Sequence, residues 1–256
     1  MNYFVGARNG CAIGLMAKAP IAGEVKTRLV PPLTPREAAT LNMCFLRDMA
    51  ANIDGVTASG AATSFVVYTP AGSQSAFAEG VSNGFKFLAQ RGESLGERLC
   101  NATDDLLNRG FTSVCLLNSD SPTLPRSIVS RAIELLAHDG ERAVFGPAED
   151  GGYYLIGLKR PHPNLFDRIP WSTPDVLALT MERASEISLP VELLPPWYDV
   201  DDAETLHRLC EELFSAPSQN GAYPAPHTRV FLEGILKQEG SERIWPRPKL
   251  LSRVPK

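Results

Sequence analysis

Histidine, paired cysteine, long apolar runs and surplus positive charge are all scarce in this 256-residue sequence. The four histidines, His138, His162, His207 and His227, are scattered, which leaves no basis for a His-rich metal centre or a His-centred catalytic triad. Five cysteines (Cys11, Cys44, Cys100, Cys115, Cys210) are an odd number without CxxC spacing, so neither a disulfide framework nor a zinc knuckle is indicated and a reducing cytoplasm is expected. No stretch reaches the ~18–20 apolar residues of a membrane helix, and no membrane insertion is expected. The longest charge-free segment, Gly55 to Ala78, is broken by Gly, Ser, Thr and Pro. The apolar run Cys11 to Ala17 lacks a basic leader and a cleavage signal, and is expected to be a buried strand. With 25 Lys plus Arg against 29 Asp plus Glu, the net charge of -4 argues against a nucleic-acid clamp, which needs cations to displace counterions. Phosphate-loop, GxGxxG, HExxH and GxSxG signatures are also missing.

What remains is a pattern of apolar runs alternating with amphipathic stretches, the mark of an α/β chain with a mostly parallel sheet flanked by helices. Strands are expected at Ala12–Ala17, Ser64–Thr69, Phe85–Ala89, Ser113–Asn118, Ala143–Pro147, Tyr153–Leu158 and Val191–Leu194. Thr34, Pro35 and Glu37 place an N-cap hydroxyl, a first-turn proline and a capping-box carboxylate ahead of a helix through Ala51. Ser94 with Glu97 repeats that spacing; further helices are expected from Pro125, from Thr173 with Pro174, and over Asp202–Phe214. Asp150-Gly151-Gly152 between two apolar runs reads as a tight hairpin, which makes the sheet mixed. A linker is expected over Ser215–Pro226, then a short helix at Val230–Leu236 and an irregular end. The domain expectation is one unit over 1–214 with a Pro-containing extension over 215–256.

In an open α/β sheet, ligands bind beyond the carboxyl ends of the strands. Three loops fall there. The first, Lys18 to Arg28, combines small residues with Lys18, Lys26, Arg28 and the Thr27 hydroxyl, a composition suited to a diphosphate, although an ordinary solvated turn can look the same. The second places Asp120 directly after an apolar strand, where a carboxylate can meet a hard cation and substrate phosphates, or merely make an Asx turn. The third concentrates Asp199, Asp201 and Asp202, one of which is expected only to cap the following helix. The local charge differs from the total: residues 18–36 carry Lys18, Lys26, Arg28 and Arg36 against Glu24 alone.

Taken in order, Ala17-Lys18-Ala19-Pro20, Lys26-Thr27-Arg28-Leu29, Gln90-Arg91-Gly92, Leu95-Gly96-Glu97-Arg98, Ser119-Asp120-Ser121-Pro122, Gly146 through Gly157, Trp171-Ser172-Thr173 and Asp199-Val200-Asp201 resemble the DUF2064 family of GT-A-like nucleotide-diphospho-sugar transferases. The resemblance implies the GT-A fold, a Rossmann-like nucleotide-binding half joined to an acceptor half around a mixed sheet. It implies Mg²⁺ or Mn²⁺ on Asp120 and Asp201, with Asp199 as the close alternative. Ala17, Lys18, Lys26, Thr27 and Arg28 would form the donor-phosphate loop, with Gln90 and Arg98 framing the nucleotide. Glu149, Asp150, Gly151, Gly152, Tyr153 and Trp171 would face the acceptor. Asp202-Ala203 departs from the Thr-Pro often found at that point in relatives.

The function expected from loops and resemblance together is metal-dependent transfer from a nucleotide sugar to a small acceptor, with Asp120 and Lys26 at the reacting diphosphate and Asp150 as base if configuration inverts. Nucleotidyl transfer from an NTP with release of pyrophosphate is the enzymatic alternative; a nucleotide-binding accessory protein without turnover is the non-enzyme one.

Overall fold

The computed structural model describes residues 9–58, 60–215 and 221–245. In chain order the elements are β1 (Asn9–Lys18), α1 (Pro35–Thr57), β2 (Ala62–Thr69), α2 (Ser75–Ala78), β3 (Lys86–Ala89), α3 (Leu95–Leu107), β4 (Phe111–Leu117), α4 (Arg126–Ala137), β5 (Ala143–Pro147), β6 (Tyr153–Leu158), α5 (Val176–Glu186), β7 (Val191–Leu193), α6 (Ala203–Phe214) and α7 (Pro226–Glu239). Short 3₁₀ turns occupy Thr27–Leu29 and Pro163–Phe166.

The strands form one seven-stranded sheet in the order β3-β2-β1-β4-β6-β5-β7. Only β6 runs against its neighbours β4 and β5; the other pairs are parallel. The sheet is thus mixed and mostly parallel, the α/β architecture of the GT-A fold. The chain winds outward from β1 through β2 to β3, then returns to place β4 on the other side of β1. The loops leaving β1 and β4 therefore diverge, and a crevice must open between them.

Side chains alternate across each strand. In β1, Ile13 and Leu15 face a core built with α1 and α4, while Ala12 faces the opposite core with α3 and part of α5. The capping boxes act as the spacing predicts: Thr34 Oγ1 accepts from the Glu37 N–H, and Ser94 Oγ from the Glu97 N–H, at 3.3 and 3.2 Å.

The β5–β6 connection is the expected tight hairpin: the Ala148 N–H donates to Gly152 O at 3.0 Å and the Gly151 N–H to Ala148 O at 3.1 Å, Gly151 takes the left-handed region at φ 91°, and the Asp150 carboxylate accepts from the Gly152 N–H at 2.9 Å. Two other local expectations change. α5 begins at Val176 rather than at Thr173, because Thr173 and Pro174 are held in a turn against Gly151. α7 is twice the expected length, running from Pro226 to Glu239.

The reason for the last difference lies in α1. Asp48, fully buried, accepts from the backbone N–H groups of His227 and Thr228 at 2.9 and 2.8 Å and so caps a helix 180 residues away. A third core joins the two: Leu41 and Phe45 of α1, Leu206, Leu209 and Leu213 of α6, and Leu232 and Ile235 of α7. The described part of the 215–256 segment is therefore packed onto the sheet unit. The irregular end expected after it lies outside the described residues from 246 onward.

Arg243 closes this arrangement. It donates to Glu37 and Glu239 and to the Pro32 carbonyl, tying the chain after α7 back to the first turn of α1. Burial alone would raise the Glu37 pKa, but hydrogen bonds from Arg243 and Thr34 outweigh it and hold it down at about 2. A depressed carboxylate stabilises the fold above its unfolded value and loses that contribution as pH falls through the folded one. The melting temperature is expected to drop between pH 4.5 and pH 2, and Arg243→Gln should flatten that acid limb; equal limbs in both proteins would count against the latch.

Candidate active site

The three loops singled out by the sequence converge at one point on the carboxyl rim, and each has a traceable reason for being there. The loop after β1 turns through Lys26 in the left-handed region (φ 50°), an uncommon conformation for a side chain with a β-carbon, and enters the Thr27–Leu29 turn. The loop after β4 is fixed by Asn118, whose Oδ1 accepts from the Asp120 N–H at 3.2 Å. The third loop is stitched in stages. Leu194 N–H donates to Phe145 O, Trp197 N–H to Pro147 O, and Val200 N–H to Asp120 O, at 2.8, 3.0 and 2.8 Å. The last of these clamps the two acidic loops together.

At the centre stands Lys26, only 4% exposed. Its Nζ donates to Asp120 Oδ1 at 2.6 Å, Asp201 Oδ1 at 2.9 Å and the Val200 carbonyl at 2.8 Å. The Phe45 ring lies 5.3 Å behind the ammonium. Burial works to lower the Lys26 pKa, but the charges and hydrogen bonds of Asp120 and Asp201 together raise it, so the group is cationic. Arg28, largely exposed, donates to the second oxygen of Asp201 at 2.8 Å. Asp202 takes the capping role expected of one acid in this loop, accepting from the Thr205 N–H at 2.9 Å.

Asp199 behaves differently from its neighbours. It is half-buried and accepts from Ser121 Oγ at 2.5 Å and Asn118 Nδ2 at 2.8 Å. Burial, reinforced by the nearby Asp120 and Asp201 charges, pushes it up to about 7 against the pull of those two hydrogen bonds.

Two clefts open here. One, of about 440 Å³, is lined by Ala17, Lys18, Lys26, Thr27, Arg28, Gln90, Arg98, Asp120 and Asp201 together with Asn118 and Leu95. It collects all the residues that the sequence assigned to nucleotide and phosphate. Gln90 is held by its Nε2 donating to Val67 O at 2.8 Å, Arg98 by Nε to Gly92 O at 3.0 Å, and Lys18 by Nζ to Glu24 O at 3.0 Å. The second cleft, of about 380 Å³, is lined by Asp150, Gly152, Tyr153, Trp171, Ser172, Thr173 and Asp199. The Tyr153 and Trp171 rings meet edge to face, 6.4 Å between centroids. Arg28, Leu95, Asn118 and Asp201 line both clefts, so the two meet along a common seam.

Two residues expected on the acceptor side are placed elsewhere. Glu149 is paired with Arg208 of α6, which donates to it at 3.0 Å and holds its carboxyl below the usual range, and it does not line the cleft. Gly151 is buttressed by the Pro174 backbone and supports the cleft wall from behind. Asn118 and Ser121, not singled out from the sequence as site residues, are the hubs that orient Asp199. The signal available for Asn118 was a polar residue closing an apolar strand.

The acidic positions expected to bind Mg²⁺ or Mn²⁺ are brought together, but the donor set does not fit a metal as it stands. The space between Asp120 and Asp201 holds the Lys26 ammonium, Arg28 takes the second oxygen of Asp201, and Asp199 is turned toward Asn118 and Ser121. Among the described residues no group of three His, Cys, Asp or Glu side chains is arranged to hold an ion.

The family described as "Uncharacterized protein conserved in bacteria (DUF2064)" matches residues 52–173. A crystal structure of a candidate nucleotide-diphospho-sugar transferase from Desulfovibrio desulfuricans G20 is similar over 88% of this chain and 94% of its own, at 32% identity and a TM-score of 0.75. Rv0371c from Mycobacterium tuberculosis H37Rv, also solved with manganese, covers 80% of this chain and all of its own at 17% identity and a TM-score of 0.49. The mannosyltransferase PcManGT from Pyrobaculum calidifontis, solved with GDP-Man and Mn²⁺, covers 93% of this chain and 72% of its own at 13% identity and a TM-score of 0.39. These last two fit too loosely to bear on the site. None of the curated proteins compared with the chain is similar in sequence. No helix among the described residues is long and apolar enough to cross a membrane.

Proposed function

Because the chain belongs to the DUF2064 family and has its GT-A-like fold, we propose that it is a transferase that takes a group from a nucleotide-activated donor and passes it to a small acceptor, with glycosyl transfer the specific reaction. The observation that carries this reading is the seam: a cleft rimmed by Lys18, Arg28 and Arg98 opens into a second, aromatic cleft at Arg28, Asn118 and Asp201. Two substrates bound on either side would have their reacting atoms at that boundary. Description of the Desulfovibrio protein as a candidate nucleotide-diphospho-sugar transferase supports the choice of donor.

In this reading the backbone of Ala17 and the Gln90 side chain border the nucleoside, while Lys18, Thr27, Arg28 and Arg98 receive the diphosphate. Lys26 holds Asp120 and Asp201 in place, and positive charge along the loop offsets the negative charge that grows on a departing nucleoside diphosphate. The Tyr153 and Trp171 rings would offer an apolar wall to the acceptor, and Asp150, at the hairpin tip and lining the same cleft, would accept a proton from an attacking hydroxyl.

The test is product identity. Purified protein is incubated with a panel of nucleotide sugars, NTPs and small hydroxylated or phosphorylated acceptors, and released nucleoside diphosphate and pyrophosphate are assayed separately. Acceptor-dependent release of nucleoside diphosphate is the expected result. Pyrophosphate release would replace this reading with nucleotidyl transfer, and nucleotide binding without any product would leave an accessory protein. Arg28→Ala should weaken donor binding about tenfold in calorimetry, the scale of one hydrogen bond to a charged group; unchanged affinity would remove Arg28 from the donor site.

A further inference from the structure

The central cation of this site is already part of the chain. An ammonium has three N–H donors, and those of Lys26 are matched by three oxygens: Asp120 Oδ1, Asp201 Oδ1 and Val200 O, at 2.6, 2.9 and 2.8 Å. The fourth side of the group is closed by its own stem and by Phe45, which is fully buried. Its backbone is locked in the left-handed region at φ 50°, immediately before the Thr27–Leu29 turn, so the stem is aimed at the acidic pair by local geometry as well as by charge.

A divalent ion competing for this place would meet an unfavourable set of neighbours. Two carboxylate oxygens that both lie within 3 Å of one nitrogen are spaced as ligands of a single cation, and one is present. Both oxygens of Asp201 already meet a cation, Oδ1 the Lys26 ammonium and Oδ2 the Arg28 guanidinium. Asp199 spends Oδ1 on Ser121 and Asn118. One oxygen each on Asp120 and Asp199 is left, whereas a dedicated site for a hard cation supplies about six to eight oxygens.

We propose that the Lys26 ammonium is the resident cation of the Asp120–Asp201 pair, standing where a divalent ion would otherwise sit, and that without nucleotide this pair offers no site for Mg²⁺ or Mn²⁺. Lys26 thereby fixes the spacing of the two acidic loops without an ion that must be acquired, and leaves Lys18, Arg28 and Arg98 to face phosphate. The inference concerns the cleft of the proposed transfer, yet its test uses neither donor nor acceptor, so the two can fail separately.

The experiment is a Mn²⁺ titration of the nucleotide-free protein, following the electron paramagnetic resonance signal of the free aqueous ion and, in parallel, the melting temperature. Wild type is expected to leave the free-ion signal and the melting temperature unchanged at sub-millimolar Mn²⁺. Lys26→Met keeps most of the stem and removes the charge; it is expected to bind one Mn²⁺ at least tenfold more tightly than wild type, with a melting temperature that rises as Mn²⁺ is added. Adding Asp120→Asn to that variant should abolish both effects. Stoichiometric binding by wild type that is lost in Asp120→Asn alone would overturn the proposal, as would a folded Lys26→Met protein that gains no affinity. Should Lys26→Met fail to fold, the wild-type and Asp120→Asn titrations decide the matter by themselves.

Discussion

Replacing Gly151 by alanine is expected to cost roughly 2–5 kcal/mol of stability, the sum of left-handed backbone strain and overpacking. Gly151 sits at φ +91°, and a β-carbon there would lie 2.0 Å from the carbonyl oxygen of Pro174 and 2.6 Å from its Cα. These are backbone atoms and cannot swing aside as a side-chain end would. The Leu177 N–H also donates to Gly151 O at 2.9 Å, so relieving the clash shifts the hairpin tip and the start of α5 together. Both carry the aromatic cleft: Asp150 and Gly152 on one, Trp171 through Val176 leading into the other. The adjacent Gly152→Ala is the control. Its β-carbon would meet only the Asp150 carboxylate, at 3.2 Å, and its φ is not in the left-handed region. Urea unfolding of both variants should show a large loss for Gly151→Ala and a loss below about 1 kcal/mol for Gly152→Ala. Similar losses would mean that the contact with Pro174 does not carry the effect.

Asp199→Asn is expected to stabilise the protein at pH 8 by up to about 4 kcal/mol, an advantage that should vanish near pH 4. The direction follows from proton counting. The folded value of about 7 lies above the ordinary 3.8, so between these values the folded state holds the proton more tightly than the unfolded chain does. Stability therefore falls as pH rises through that window and levels off above it. Asparagine has no proton to lose, keeps an oxygen that can accept from Ser121 and Asn118, and buries no charge. Groups that titrate far from Asp199 contribute equally to both proteins, so their difference in unfolding free energy, measured at intervals from pH 4 to pH 8, reports on Asp199 and its coupling to Asp120 and Asp201. A difference that does not change with pH would sink the assignment.

The contrast between Asp199 and Lys26 shows how far the sequence reaches into this site. Lys26, Asp120 and Asp201 were recognisable as candidates because each follows or precedes an apolar strand at the rim where α/β proteins bind ligands. Their relation was not recognisable. A basic loop and two acidic loops on one rim, taken together, suggest phosphate plus metal, and folding brings the lysine between the acids instead. Asp199 and Asp201 are two residues apart in similar local sequence, yet one accepts hydrogen bonds from Asn118 and Ser121 and the other is paired with Lys26 and Arg28. Glu149 was grouped with its neighbour Asp150, but Arg208 draws it to the other side of the hairpin.

The sequence by itself determined the strands and where the first long helices begin. Apolar alternation located all seven strands to within a few residues, and the Thr34/Glu37 and Ser94/Glu97 boxes located the first residues of α1 and α3, since both signals act between residues close in the chain. The identity of the loops at the sheet's carboxyl rim followed from those elements and the general rule for α/β folds. Tertiary structure alone decided what lies outside that range of interaction. Pro226 starts α7 because Asp48, far away in α1, caps it. The Gly-Gly turn is intolerant at Gly151 because Pro174 is pressed against it. The acidic pair is closed by an ammonium because Val200 bonds to the Asp120 carbonyl and brings the two loops to either side of Lys26. Each of these depends on a contact between segments whose separation in sequence carries no local signal, and only the packed chain supplies it.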